Sequence, residues 1–324
     1  MKRFDRIFKE WFDRIDRVFQ RLEHRHGLQL MRYSLALVFL WYGFAKPLGI
    51  SPADAVVKPT FLNTPILPIF MGWRTFFDLL GTFEGVVGLL LLSRRTMRIA
   101  VGMLVIQMVS TFAPFMFAPE LAWTSFPFVP SAIGLYIVKN FVLLTSGLVL
   151  VTAIRPGSFT AGFDTRHTIF WLRIGLVISF VWSGLLTAAV SSDPGLWVAA
   201  AIPNEMIADK AFIGLLGVLE VLVGLYVLGP SRTTRHVASY LAIAYLALTM
   251  LPVFMVTDAV FAQLPFEPSF EGVYIFKDLV LVAGVLVSDS YHSFEWRGAT
   301  EHGDMDSIFG FDDSVEDESE VPLD

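Results

Sequence analysis

The chain has 324 residues, 55% of them hydrophobic and 17% charged, and its mean hydropathy is +0.61. That composition lies outside the soluble range and places the chain in a lipid bilayer. It has no cysteine, which excludes disulfides, thiol relays and cysteine-ligated iron–sulfur clusters, and its net charge of −6 averages a basic N-terminus with a strongly acidic C-terminus.

Residues 1–27 open the chain without the pattern of a signal peptide. Phe4, Ile7 or Phe8, Trp11, Ile15, Val18 or Phe19 and Leu22 recur at spacings of three and four, with eight Lys/Arg and five Asp/Glu between residues 2 and 26. The pattern predicts an amphipathic helix, lying along an anionic cytoplasmic leaflet or packed on a partner or on its own loops. Apolar runs follow at 32–50, 73–92, 97–117, 132–154, 168–190, 211–229, 237–257 and 271–288. Each is close to the roughly 20 residues that cross a hydrocarbon core. Arg94, Arg95 and Arg98, then Arg155 and Arg166, then Arg232 and Arg235 mark alternate loops as cytoplasmic. The other loops carry Asp54 with Lys58, then Glu120, then Asp193, Glu205 and Asp209 with Lys210, then Asp258 and Glu267, so eight spans with both termini cytoplasmic are expected. After residue 290 the chain turns polar, and residues 295–324 hold eleven Asp/Glu and one Arg, the pattern of a solvated tail.

The chain repeats itself. Pro127–Leu143 reads PFVPSAIGLYIVKNFVL and Pro265–Leu281 reads PFEPSFEGVYIFKDLVL, with ten of seventeen positions identical, Tyr136/Tyr274 and Lys139/Lys277 among them. Leu79–Leu89 (LLGTFEGVVGL) likewise matches Leu215–Leu225 (LLGVLEVLVGL), so Glu84 corresponds to Glu220. The expected fold is therefore an all-α polytopic membrane protein of eight transmembrane helices in two four-helix repeats. Residues 28–154 form the first, 155–167 a cytoplasmic linker, 168–290 the second and 291–324 the tail. An even number of spans per repeat makes the two copies parallel.

Ionisable groups inside a bilayer are costly, and are paired or functional where they occur. Gly81 and Gly88 flank Glu84 on its own helical face, as Gly217 and Gly224 flank Glu220. Small residues there admit a neighbouring helix and turn the carboxylates inward. Glu84 lies roughly 16 Å from the outer start of its span and Lys139 roughly 12 Å by helical rise. Two pairs are expected, Glu84 with Lys139 and Glu220 with Lys277, and Asp278 adds an acid where the first copy has Asn140. Either the pairs clamp the second span of each repeat to the fourth, or they bind the polar end of an amphiphile or relay a proton. Thr111 and Pro114 match Thr249 and Pro252, where proline predicts a kink. Trp41 and Gly43 match Trp182 and Gly184, positions suited to an interface belt or to helix packing. All six histidines fall in tails or at loop edges, and no phosphate cradle is present, so no metal site, intrinsic cofactor or nucleic-acid partner is expected.

Arg32–Lys46 (RYSLALVFLWYGFAK), the Gly-x-x-Glu of the second and sixth spans and the Tyr-x-x-Lys-x-x-Val-Leu of the fourth and eighth resemble the DoxX family of four-helix membrane proteins, here tandemly duplicated over about residues 30–290. The second copy departs at Leu185–Thr187, where no lysine matches Lys46. The resemblance implies a prokaryotic cell-membrane protein of a redox or stress-defence module, with a quinone as the possible ligand and electrons supplied by a partner. More distant relatives imply a second expectation, a non-enzymatic scaffold or assembly or cargo receptor, for which the N-terminal helix and acidic tail of this chain would recruit the partners. A proton-coupled small-solute transporter is a third expectation.

Overall fold

The computed structural model describes residues 26–125, 129–154, 165–190, 210–229, 231–255, 257–263 and 267–298. Eight long helices organise them: α1 His26–Ala45, α2 Trp73–Leu92, α3 Met97–Thr111, α4 Ala132–Ile154, α5 Thr165–Val190, α6 Lys210–Val227, α7 Arg232–Met255 and α8 Phe270–Gly298. Six stretches are long and apolar enough to cross a membrane: His26–Ala45, Trp73–Leu92, Met97–Phe117, Ile133–Ala153, Thr165–Ala188 and Thr233–Met255. The chain thus has the makings of an all-α, membrane-embedded protein. The apolar part of α6 is shorter, Ile213–Val227, and α8 carries Lys277, Asp278 and Asp289. The expected amphipathic helix lies outside the described residues up to residue 25, as do 155–164 of the linker and 299–324 of the tail. Helix α5 begins at Thr165, inside the expected linker, and α8 runs to Gly298, beyond the expected end of the second repeat.

Two short antiparallel ribbons depart from a purely helical chain. Strands β1 (Trp123–Ser125) and β2 (Val129–Pro130) precede α4, and β3 (Phe261–Gln263) and β4 (Glu267–Pro268) precede α8. The sequence repeat explains them: Trp123 faces Pro130 as Phe261 faces Pro268. A serine then opens the following helix in both places. Ser131 Oγ accepts from the Gly134 amide at 3.1 Å and Ser269 Oγ from the Gly272 amide at 3.0 Å, the usual way a serine satisfies the bare donors of a helix start.

Glycines set the closest helix contacts. A Cβ on Gly43 of α1 would lie 2.2 Å from the Gly85 amide nitrogen of α2, and one on Gly184 of α5 would lie 2.5 Å from the Gly217 carbonyl of α6. Gly81 faces Lys46 just after α1 and Gly88 faces Leu40 of α1, while Gly217 and Gly224 face Ala188 and Val181 of α5. The glycines beside each glutamate therefore admit the first helix of its own copy. Trp41 packs on Phe261 and Phe276 at centroid distances of 5.7 and 4.5 Å, and Trp182 lies 6.0 Å from Trp123. Each tryptophan thus crosses to the ribbon of the other copy, a packing role. One core joins both halves, with Leu35, Leu104, Val142, Leu172, Val280 and Ala283 fully buried in it.

The two prolines act differently. Helix α3 stops at Thr111, and Pro114 sits in the first turn of the short helix Ala113–Phe117, where its missing N–H leaves no bond broken. Pro252 lies inside α7, which continues to Met255.

Candidate functional site

In α4 and α8 the repeated Tyr-x-x-Lys places the tyrosine one turn before the lysine, so both point to one side of the helix. Those two sides meet, and each copy reaches into the other. Lys139 Nζ lies 3.4 Å from the centroid of the Tyr274 ring and 2.5 Å from Asp278 Oδ1. Lys277 Nζ lies 3.1 Å from the centroid of the Tyr136 ring, 2.5 Å from Asn140 Oδ1 and 3.1 Å from the Tyr136 carbonyl. The residue after one lysine receives the other, and both cations rest on an aromatic face. The expected pairs, Glu84 with Lys139 and Glu220 with Lys277, are therefore replaced. Depth along a helix fixes the height of a side chain but not its bearing around the bundle, and the bearing sends both lysines across to the opposite copy.

The glutamates take partners at the first and third helices of their own copies. Glu84 is paired with Lys46, the residue that follows α1, and accepts from Gln107 Nε2 of α3 at 2.6 Å. Lys46 Nζ also donates to the Tyr42 carbonyl at 3.3 Å. Glu220 Oε1 accepts from Tyr245 of α7 at 2.6 Å and from Ser183 of α5 at 3.2 Å. The Tyr245 hydroxyl lies 3.4 Å from Asp278 Oδ2, and Ser183 Oγ lies 3.2 Å from the Tyr274 hydroxyl. Gln107, Ser183 and Tyr245 were not singled out from the sequence, and Lys46 was named there as a point where the copies differ but not as the partner of Glu84. Two signals were there to use. Lys46 closes an apolar run four residues after Tyr42, and Gln107 and Tyr245 each stand four residues before the matched Thr111 and Thr249.

A cavity of about 350 Å³ opens onto the first of these networks, a size within the usual range of small-molecule sites. Lys46, Glu84, Gln107, Tyr136, Asn140 and Lys277 converge on it. The rest of its lining is predominantly apolar, with Phe39, Leu80, Met108 and Leu143 contributed by α1 to α4. The helix Asp54–Asn63, between α1 and α2, covers it with Val56, Thr60 and Phe61, which are buried. Lys277 arrives from α8, so the cavity draws on both halves of the chain. Lysine and amide donors, one carboxylate and an apolar surround suit a molecule with a polar, acceptor-rich head and an apolar body. Among the described residues no three His, Asp or Glu side chains are grouped to hold a metal ion.

No protein-family model, curated protein or solved structure matches this chain.

Proposed function

We propose that the protein is an eight-span membrane protein of two parallel four-helix repeats whose first-repeat cavity binds the polar head of an amphiphile, with a quinone as the favoured class. In this reading it serves as a DoxX-like accessory subunit of a redox or stress-defence module in a prokaryotic cell membrane, both termini are cytoplasmic, and a partner supplies the electrons. The observation that carries it is the convergence of Lys46, Glu84, Gln107, Asn140 and Lys277 on one part of an otherwise apolar cavity. Two features support α6 and α8 as spans. Leu215, Val218, Leu222 and Leu225 form an exposed apolar stripe on α6, the face a lipid would cover. On α8 every residue from Gly272 to Asp289 except Phe276 and Leu279 is buried, so protein rather than lipid surrounds its charges. The reciprocal contacts of Lys139 and Lys277 support the two repeats.

In the cavity, Lys277 and Gln107 are the donors placed for a carbonyl or anionic head. Glu84, held by Lys46, is the acceptor for a hydroxyl. Titrating a short-chain quinone into protein reconstituted in lipid, with native mass spectrometry as a second readout, tests the reading. Lys277→Met removes one charge-assisted hydrogen bond, which is about tenfold to a hundredfold in affinity. Wild-type protein that retains no quinone or other amphiphile, or that binds it unchanged after Lys277→Met, overturns the proposal.

A further inference from the structure

Among the described residues, the networks around Glu84, Glu220 and the two matched lysines hold six buried lysine and acid side chains: Lys46, Lys139 and Lys277, and Glu84, Glu220 and Asp278. Two ion pairs use four of them, Lys46 with Glu84 and Lys139 with Asp278. Lys277 and Glu220 are left, and they are held apart. Lys277 is turned toward the cavity, on Asn140 and Tyr136. Glu220 lies in the second copy, where the groups around it are Ser183 of α5, Tyr245 of α7, Tyr274 and Asp278 of α8 and Lys139 of α4.

The two oxygens of Glu220 are unequal. Oε1 receives both hydrogen bonds, whereas Oε2 is buried and has neither a donor nor an acceptor as partner among the described residues. An ionised carboxylate spreads its charge over both oxygens, and a bare one away from water is strongly disfavoured. A neutral acid fits better, because its carbonyl oxygen accepts two hydrogen bonds and an O–H without an acceptor costs far less to bury than an ionised oxygen without a donor. The neighbours agree. Lys139 is already taken by Asp278, and a second negative charge on Glu220 would face Asp278 across a single tyrosine hydroxyl, which has one proton to give. Glu84 contrasts at every point, since Lys46 holds one oxygen and Gln107 the other.

We propose that Glu220 is a proton-binding site, a carboxylic acid with its exchangeable proton on Oε2, while Glu84 and Asp278 stay ionised. Binding the proton converts carboxylate and H⁺ to acid, with no other bond made or broken. With the proton on, Glu220 is neutral and needs no cation beside it, while Lys277 stays on Asn140 and the Tyr136 carbonyl. With the proton off, Glu220 is a buried carboxylate with no ion pair among the described residues. The assignment rests on the surroundings of Glu220 and stands apart from the reading of the cavity.

Infrared spectroscopy of full-length protein in lipid at neutral pH tests it. The expected result is a protonated-carboxyl C=O band that shifts in heavy water, disappears in Glu220→Gln and survives in Glu84→Gln. Titrating wild type toward alkaline pH should remove the same band reversibly, and this needs no variant. Because glutamine is nearly isosteric with the neutral acid, Glu220→Gln should also keep the wild-type unfolding midpoint. Absence of the band in wild type, its survival in Glu220→Gln, or a midpoint in Glu220→Gln lowered as far as in Asp278→Asn overturns the proposal.

Discussion

Lys139 and Lys277 are the same residue of a repeated motif in nearly the same surroundings, yet one faces Asp278 and the other Asn140. That single difference sets the chemistry of each side. Lys139, buried on Tyr274 with a carboxylate at 2.5 Å, is a completed pair, and removing one partner of such a pair typically costs about 3–5 kcal/mol. Asp278→Asn should therefore lower stability by about that amount, read as the unfolding midpoint in detergent or lipid. Asn140→Asp should do the reverse to Lys277. It supplies the missing carboxylate, which then competes with a bound head for Lys277, so the fold is kept while the affinity for an acceptor-rich head falls about tenfold, the effect of losing roughly one charge-assisted bond. Unfolding midpoint and amphiphile titration on this one variant separate the two effects.

At the scale of helices, two pairs are fixed by backbone approach, α1 on α2 and α5 on α6. At Gly43 an added Cβ meets backbone at 2.2 Å, and backbone cannot turn aside as the end of a side chain can. Gly43→Ala should cost at least the 1–3 kcal/mol usual for overpacking. Gly102 of α3 has nothing within 4 Å of such a Cβ, so Gly102→Ala should instead gain up to about 1 kcal/mol of helix propensity. A melting comparison of the two variants checks both signs. The same contacts mark what could be read in the sequence. The bounds of α2 and α4 lay in the hydropathy, since an apolar run ends where its helix leaves the apolar phase. The glycines beside Glu84 and Glu220 were legible from helical spacing. Which helix came to meet them was not, because spacing names a face and not the neighbour. Lys46 escaped for a related reason: it has no counterpart at Thr187, so a reading built on matched positions passed over the true partner of Glu84. The helix Asp54–Asn63 escaped because a loop helix that covers a cavity carries no membrane-length apolar run.

For the molecule as a whole, the reciprocal contacts make each half the completion of the other. Trp41 and Lys277 serve the opposite copy as Trp182 and Lys139 do, and the cavity draws on residues from both. Chains comprising residues 1–159 and 160–324, divided where no described helix is cut, should therefore co-purify when expressed together. Expressed alone, the halves should differ, because a pair of identical halves would set each lysine against its own copy's following residue. Two second halves would place Lys277 of each against Asp278 of the other and Tyr274 beneath it, which restores two ion pairs. Two first halves would set Lys139 against Asn140 twice and bury two cations without a carboxylate between them. Size-exclusion chromatography with multi-angle scattering should show the second half alone as a dimer and the first half alone aggregated or degraded. Introducing Asn140→Asp into the isolated first half should recover its dimer. A first half that dimerises as readily as the second, without that substitution, would mean that the lysine exchange does not govern how the halves join.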